Sequence, residues 1–404
     1  MKEKLTHTDL IFPILAALKK KNPHIKIRLI FPSKNCLILI KANNALYQSL
    51  TDLAEIKYFY WSQEINIPLI PNSFSGIIAV IHRNFLMKNL LFQKVFIFRI
   101  NDIPRINWLI SLNKYFFKGK KISLFLHSLE FEKFMSIIRR RNGNRRVIQG
   151  NKASEDAPYS GPLNTDSDIL ISSYNYGQLK KIYKNISRHN YSVTNIGSEL
   201  FNWPTWKGYI FKHSKPDIKS LPKKFIFFPL AIIIRKDLDG KLEHDYRESI
   251  MEIINAIREK NADIIIIFRP HPTTDIEELN IFFKENNVKN FIISYINPII
   301  LLKYCSFVVR YGASLLDSRV IDSGKYLIRY FYDVLAEEVK EELQYNKKFY
   351  NKYNFIDITD KKKLQKTIHK TLDNNKYKEP AKDNKNYEDT AINNIFKIID
   401  VTDD

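Results

Sequence analysis

Arg269 and His271 stand in the stretch IIIIFRPHPTTD, residues 264–275, where an unbroken apolar run gives way to a cation, a titratable ring and two prolines. An arginine offers a planar fork of donors suited to phosphate oxygens. A histidine can donate a hydrogen bond to a phosphate or leaving oxygen and, near neutral pH, a proton. Pro270 and Pro272 restrict the backbone on both sides, so the ring is carried on a preorganised turn. The arrangement returns in FVVRYGASLLDS, residues 307–318, which runs from a strand carrying Arg310 through Gly312 into a helix. Gly312 permits a close turn, and the first N–H groups of the helix, around Ala313 and Ser314, are a ready anion site. Asp317, one turn in, is expected to accept from ribose hydroxyls. Either device alone has a plainer reading, a helix cap with Arg269 in solvent. Two of them at one sheet edge point to a nucleotide.

The elements that must position these residues follow from periodicity. KFIFFPL (224–230), the 264–268 run, FIISY, FVVRYG and KYLIRYF are short and apolar on both faces, the pattern of strands in a parallel sheet covered on both sides. Helical stretches alternate with them: HDYRESIMEIINAIREKN (244–261), TDIEELNIFFKENN with Thr274 as its cap, NPIILLKYCS and SLLDSRVIDSG. In such sheets ligands bind beyond the carboxyl ends of the strands, where Arg269, His271 and Gly312 fall. DLDG (237–240) reads as a loop near the nucleotide.

The N-terminal half uses the same grammar. A helix over HTDLIFPILAALKKKN precedes a strand at 25–31, a helical stretch around 36–53, and strands at 75–82, 94–100, 120–127, 168–173 and 191–198. Residues 150–167 are rich in turn formers and read as a loop. Residues 202–224 contain three prolines and no clear period, which makes them the best boundary. The expected division is an N-terminal acceptor-binding domain over 1–205, a linker over 206–223, a donor-binding domain over 224–380 and a C-terminal helix or tail over 381–404.

Bulk properties bound the answer. A chain of 404 residues, 45% hydrophobic and 26% charged, is globular and long enough for two domains. Cys36 and Cys305 lie far apart in apolar surroundings and are expected to be buried, reduced thiols of a cytoplasmic protein. No apolar run is long enough to span a bilayer, and MKEKLTHTDLIF lacks a signal-peptide core. The net charge of +21 predicts attraction to something anionic. Its sharpest cluster, IIRRRNGNRR, holds Arg139, Arg140, Arg141, Arg145 and Arg146, either a solvated loop or a patch for lipid head groups or a phosphate-bearing acceptor. No zinc-ligand spacing or RNA-binding signature occurs, so nucleic acid is not the expected partner.

RPHP (269–272) and YGASLLD (311–317) resemble the C-terminal half of GT-B glycosyltransferases, in particular bacterial surface-carbohydrate enzymes: sialyl- and Kdo-type transferases with a His-Pro motif, and CDP-glycerol glycerophosphotransferases. VTNIGSELFNW (193–203) resembles the exit from the first domain of that fold, and LFLHS (124–128) the strand-end histidine of its acceptor domain. Ala313 stands where a second hydroxyl is common. The resemblance implies an α/β chain of two doubly wound parallel-sheet domains facing across a cleft. It implies a nucleotide-sugar co-substrate, CMP- or UDP-linked, no metal or other cofactor, and a glycan or glycolipid acceptor in surface polysaccharide or lipopolysaccharide synthesis. It places the enzyme in the cytoplasm, or peripherally on the inner face of the cytoplasmic membrane. Donor contacts fall to Arg269, His271, Pro272, Arg310, Gly312, Ser314 and Asp317, with His271 catalytic. His127 is the expected base for the acceptor hydroxyl, followed by Glu130, with Glu132 and Asp102 in reserve. A sugar-nucleotide 2-epimerase shares the fold, and a basic, non-catalytic polyanion-binding protein is the reading from another class.

Overall fold

The computed structural model describes residues 8–31, 34–58, 96–99, 120–125, 169–172, 192–195, 203–230, 234–236, 242–271, 274–312, 316–331, 355–373 and 388–393. The best-defined unit is a six-stranded, wholly parallel sheet. Its strands are β7 (Phe225–Pro229), β10 (Ile265–Arg269), β11 (Phe291–Ile293), β12 (Val308–Tyr311), β13 (Leu327–Tyr330) and β14 (Phe355–Ile358). They lie in the order β11-β10-β7-β12-β13-β14. The chain therefore winds outward from β7 in one direction, then returns to β12 and winds out in the other. Between β7 and β12 lies the point where the strand order reverses.

The unbroken apolar runs have a direct explanation in this sheet. Phe225 and Phe227 enter one core, while Ile226 and Phe228 enter the core on the opposite face, and all four are fully buried. Ile267 and its neighbours Ile266 and Phe268 divide the same way. Helix α6 (Arg247–Lys260) covers one face with Ile250, Ile253, Ile254 and Ile257, the i, i+3, i+4, i+7 stripe of an amphipathic helix. Helix α8 (Pro298–Tyr304) covers the other, capped by Asn297 accepting from the Ile299 N–H at 2.9 Å.

In the first half, β3 (Phe96–Arg99), β4 (Lys120–Phe125), β5 (Ile169–Ser172) and β6 (Ser192–Asn195) pair in parallel and in chain order. β1 (Arg28–Phe31) and β2 (Glu55–Tyr58) form a separate parallel pair. The strand expected at 75–82 and the loop at 150–167 lie outside the described residues.

Several boundaries differ from the sequence expectation, each for a local reason. The helix around 36–53 is two, α2 (Lys34–Lys41) and α3 (Asn44–Leu53), because Asn43 breaks the chain and caps α3 by accepting from the Leu46 N–H at 3.1 Å. His244 and Asp245 belong to β9 (Leu242–Asp245), which pairs antiparallel with β8 (Ile234–Lys236), so α6 starts at Arg247. The DLDG segment connects these two strands and is outside the described residues. The cap of α7 (Ile276–Glu285) is Asp275, which accepts from the N–H groups of Glu277 and Glu278, and not Thr274. Strand β14 and helix α10 (Lys361–Asp373) were not anticipated as elements.

The segment expected to be a linker folds as α4 (Pro204–Lys212) and α5 (Lys215–Ser220), with a proline in the first turn of each, where a missing N–H is harmless. Trp206 and Ile210 of α4 are buried in one core with Leu46, Leu50, Phe225 and Phe227, and with Phe12 of α1 (Thr8–Lys21). The Phe12 and Trp206 rings are 5.9 Å apart. The Ser49 hydroxyl donates to the Tyr209 carbonyl at 2.9 Å. Helical residues 388–393 close over the start of α4: Glu388 accepts from the Thr205 N–H at 3.1 Å and from its hydroxyl, and Ala391 and Ile392 are buried in the same core. Cys305 is buried nearby, and burial pushes its thiol pKa up to about 12, which keeps it an unreactive thiol.

Candidate active site at the carboxyl edge of the six-stranded sheet

At the carboxyl edge Arg269 ends β10 opposite Pro229 of β7, and the Arg269 carbonyl accepts from the Leu230 N–H at 2.9 Å. The Arg269 side chain is half-buried, and its Nε donates to the Ile296 carbonyl at 3.3 Å. Its charge is felt at Tyr295, whose hydroxyl burial pushes up in pKa while Arg269 opposes that shift. The next residues form the turn expected from the prolines: the His271 carbonyl accepts from the Thr274 N–H at 2.8 Å. The ring of His271 is half-buried and sits one residue beyond Pro270. Thr274 Oγ1 is buried beside this turn and makes no hydrogen bond.

Gly312 directly follows β12, which lies next to β7 across the reversal point, and its N–H donates to the Tyr330 carbonyl at 2.8 Å. Its φ of +62° lies in the left-handed region, which is why glycine stands there. A Cβ at this position would meet nothing within 4 Å, so substitution strains only the backbone. Gly312→Ala is expected to cost roughly 1–2 kcal/mol of stability in urea denaturation, without a change in the slope against denaturant.

Arg310 and Asp317 take a different part from the one expected. Alternation puts Arg310, Arg329 and Asp357 on one face, in register on three adjacent strands, β12, β13 and β14. Two arginines side by side repel, and Asp317 from α9 (Leu316–Asp322) enters between them. Arg310 Nη1 donates to one Asp317 oxygen at 3.2 Å, and Arg329 Nη1 donates to the other at 3.1 Å. Arg329 then makes a two-pronged pair with Asp357, at 2.6 and 2.8 Å. Its guanidinium also lies 4.3 Å from the centre of the Phe355 ring.

Arg310 is 1% exposed and Asp317 6%, so both charges are withdrawn from the strand-end surface and committed to each other. From the sequence, phosphate contact is expected of Arg310 and ribose contact of Asp317; as placed, the two side chains hold the sheet edge and α9 together. Burial lowers the pKa of Arg310, with Asp317 opposing. Burial also works against the charge on Arg329, but Asp357 and Asp317 outweigh it and hold that pKa above the usual arginine range. The sequence reading missed Arg329 and Asp357. The signal was there in KYLIRYF and FIDI, where a charge interrupts a strand buried on both faces and therefore needs a partner.

The structure thus brings Arg269, His271 and Gly312 to one edge, with Arg310 and Asp317 beneath it. Pro272, Ser314, His127, Glu130, Glu132, Asp102 and the arginines Arg139, Arg140, Arg141, Arg145 and Arg146 lie outside the described residues. β4 is described to Phe125, two residues before His127.

No protein-family model matches the chain, and no curated protein is significantly similar to it. Solved structures are similar in shape. Glycyrrhiza uralensis UGT73P12, complexed with glycyrrhetinic acid 3-O-monoglucuronide, matches with a TM-score of 0.50 at 10% identity, over 99% of this chain and 89% of that one. Arabidopsis thaliana UGT89C1, complexed with UDP-L-rhamnose, gives 0.45 at 12% identity, over 97% and 90%. A UDP-glucosyltransferase from Polygonum tinctorium capable of glucosylating indoxyl gives 0.41 at 11%, over 96% of each chain. The first of these, with the parallel sheets described above, assigns the architecture: the chain has the GT-B fold.

Proposed function

We propose that this chain is a glycosyltransferase that moves a sugar from a nucleotide-activated donor to a hydroxyl acceptor. One observation carries the reading. In a sheet of the order β11-β10-β7-β12-β13-β14, the reversal point between β7 and β12 is flanked by the His271 turn on one side and the Gly312 turn on the other. That crevice is where open parallel sheets bind nucleotides.

In this reading the acceptor oxygen attacks the anomeric carbon, the bond from that carbon to the phosphate oxygen breaks, and negative charge develops on the leaving phosphate. Arg269 supplies fixed positive charge, His271 donates a hydrogen bond or a proton to the leaving oxygen, and N–H groups around Ser314 complete the array. Protein groups rather than a metal ion meet the charge. A base in the N-terminal half, His127 first and Glu130 next, receives the acceptor proton. The sequence resemblance favours a CMP- or UDP-linked donor and a bacterial surface glycan as acceptor, and a CDP-glycerol glycerophosphotransferase would use the same edge. The arginines at 139–146 would face an anionic acceptor or membrane.

A thermal-shift series with CMP, CDP, UDP, GDP and CDP-glycerol tests the core of this. A nucleotide present at 100 times its dissociation constant stabilises the fold by about 2.7 kcal/mol and raises the melting temperature visibly. Indifference to every one of these compounds would remove the nucleotide site.

A further inference from the structure

Helix α10 begins just after the carboxyl end of β14, the edge strand farthest from β10, and packs against α6 on one flank of the six-stranded sheet. Leu364, Ile368 and Thr371 face inward and are buried. Lys362, Lys363, Lys366 and Lys370 are exposed. Lys362, Lys366 and Lys370 recur every fourth residue, so they follow one line about 6 Å apart along the axis, with Lys363 beside it.

The carboxylates around this helix are engaged elsewhere. Asp360 accepts from the Lys363 backbone N–H at 2.7 Å. Glu252 takes the Tyr330 hydroxyl and pairs with Lys361 at 3.0 Å. Glu259 accepts from Gln365, and Asp373 pairs with Lys260 at 2.8 Å. Among the described residues no carboxylate pairs with any of the four lysines. Three lysines occupy the first turn of α10 behind the Asp360 cap, although the positive end of the helix dipole disfavours cations at that place, so the dipole does not account for the pattern.

We infer that the outward face of α10 is a docking surface for an anionic phospholipid bilayer. The face consists of point charges on long, flexible stems. It has no arginine fork for a single phosphate and no aromatic platform for a base or sugar ring. Charge without shape matches a continuous layer of head groups, where each lysine near the surface adds a roughly equal increment of attraction. The inference does not rest on the nucleotide site.

The test is co-sedimentation of the full chain with phosphatidylcholine vesicles, alone or mixed with phosphatidylglycerol. The wild-type chain should bind only the mixed vesicles and dissociate as salt is raised. The variant Lys362→Gln, Lys363→Gln, Lys366→Gln, Lys370→Gln should partition onto them on the order of 1,000-fold less, with an unchanged circular dichroism spectrum. The pair Lys366→Gln, Lys370→Gln should lose about 30-fold, and provides the measurement if the fourfold variant folds poorly. A variant with glutamine at Arg139, Arg140, Arg141, Arg145 and Arg146 should keep the dependence on the α10 lysines. The inference is overturned if the wild-type chain ignores lipid charge, if lysine replacement leaves vesicle binding intact, or if the lysines govern capture of polyuridylate or duplex DNA instead.

Discussion

Asp317→Asn is expected to lower the unfolding free energy by about 3–5 kcal/mol, the usual cost of removing one partner from a buried ion pair. The reason lies in the register of the sheet. Arg310 and Arg329 are neighbours on β12 and β13, both nearly inaccessible to water, and Asp317 gives one oxygen to each. A neutral amide removes the carboxylate that lies between the two adjacent guanidiniums, while Asp357 still pairs with Arg329. Replacing the whole set together, with Met at 310 and 329 and Leu at 317 and 357, should be far less damaging than the single change, because no buried charge is then left uncompensated. Urea midpoints at constant slope measure both variants. A loss below about 1 kcal/mol for Asp317→Asn would mean that water reaches these charges and that the edge is held some other way.

The second large effect is chemical. His271→Ala is expected to lower kcat by about 10²–10⁴-fold with whichever nucleotide-sugar proves to be the donor. The turn that presents the ring is closed by the His271 carbonyl, which accepts from the Thr274 N–H, and Pro270 is untouched. Alanine should therefore preserve the backbone and shift the melting temperature little, which separates loss of a donor from loss of structure. His271→Gln, which retains a hydrogen-bond donor without the titratable ring, distinguishes hydrogen bonding from proton transfer. Full activity of the alanine variant would exclude His271 from the reaction.

What could be read from the sequence follows from which interactions are local. Doubly buried strands such as 265–269 and 308–311 were legible because both faces demand apolar residues, so the strand order of elements and the edge carrying Arg269, His271 and Gly312 followed. The fate of Arg310 and Asp317 was not legible. Spacing placed them near the edge, but only the pairing of β12 with β13 and β14 reveals the second arginine and second aspartate that absorb them. The helices within residues 204–220 were hidden for a related reason. Their prolines left no clear period, whereas Pro204 and Pro216 stand in the first turns of short helices, and the burial of α4 depends on α1, α3 and residues 388–393, all distant in the chain.

That last arrangement bears on how the protein is made. Helices α1 and α3 are synthesised well before α4, yet their apolar sides rest on Trp206 and Ile210, and the opening turn of α4 is completed by Glu388. Full cover for α1 and α3 therefore waits for Ala391 and Ile392, which join the same core and are translated much later. Their final burial lags far behind their own synthesis, and it ties residues 8–53 to residues 388–393.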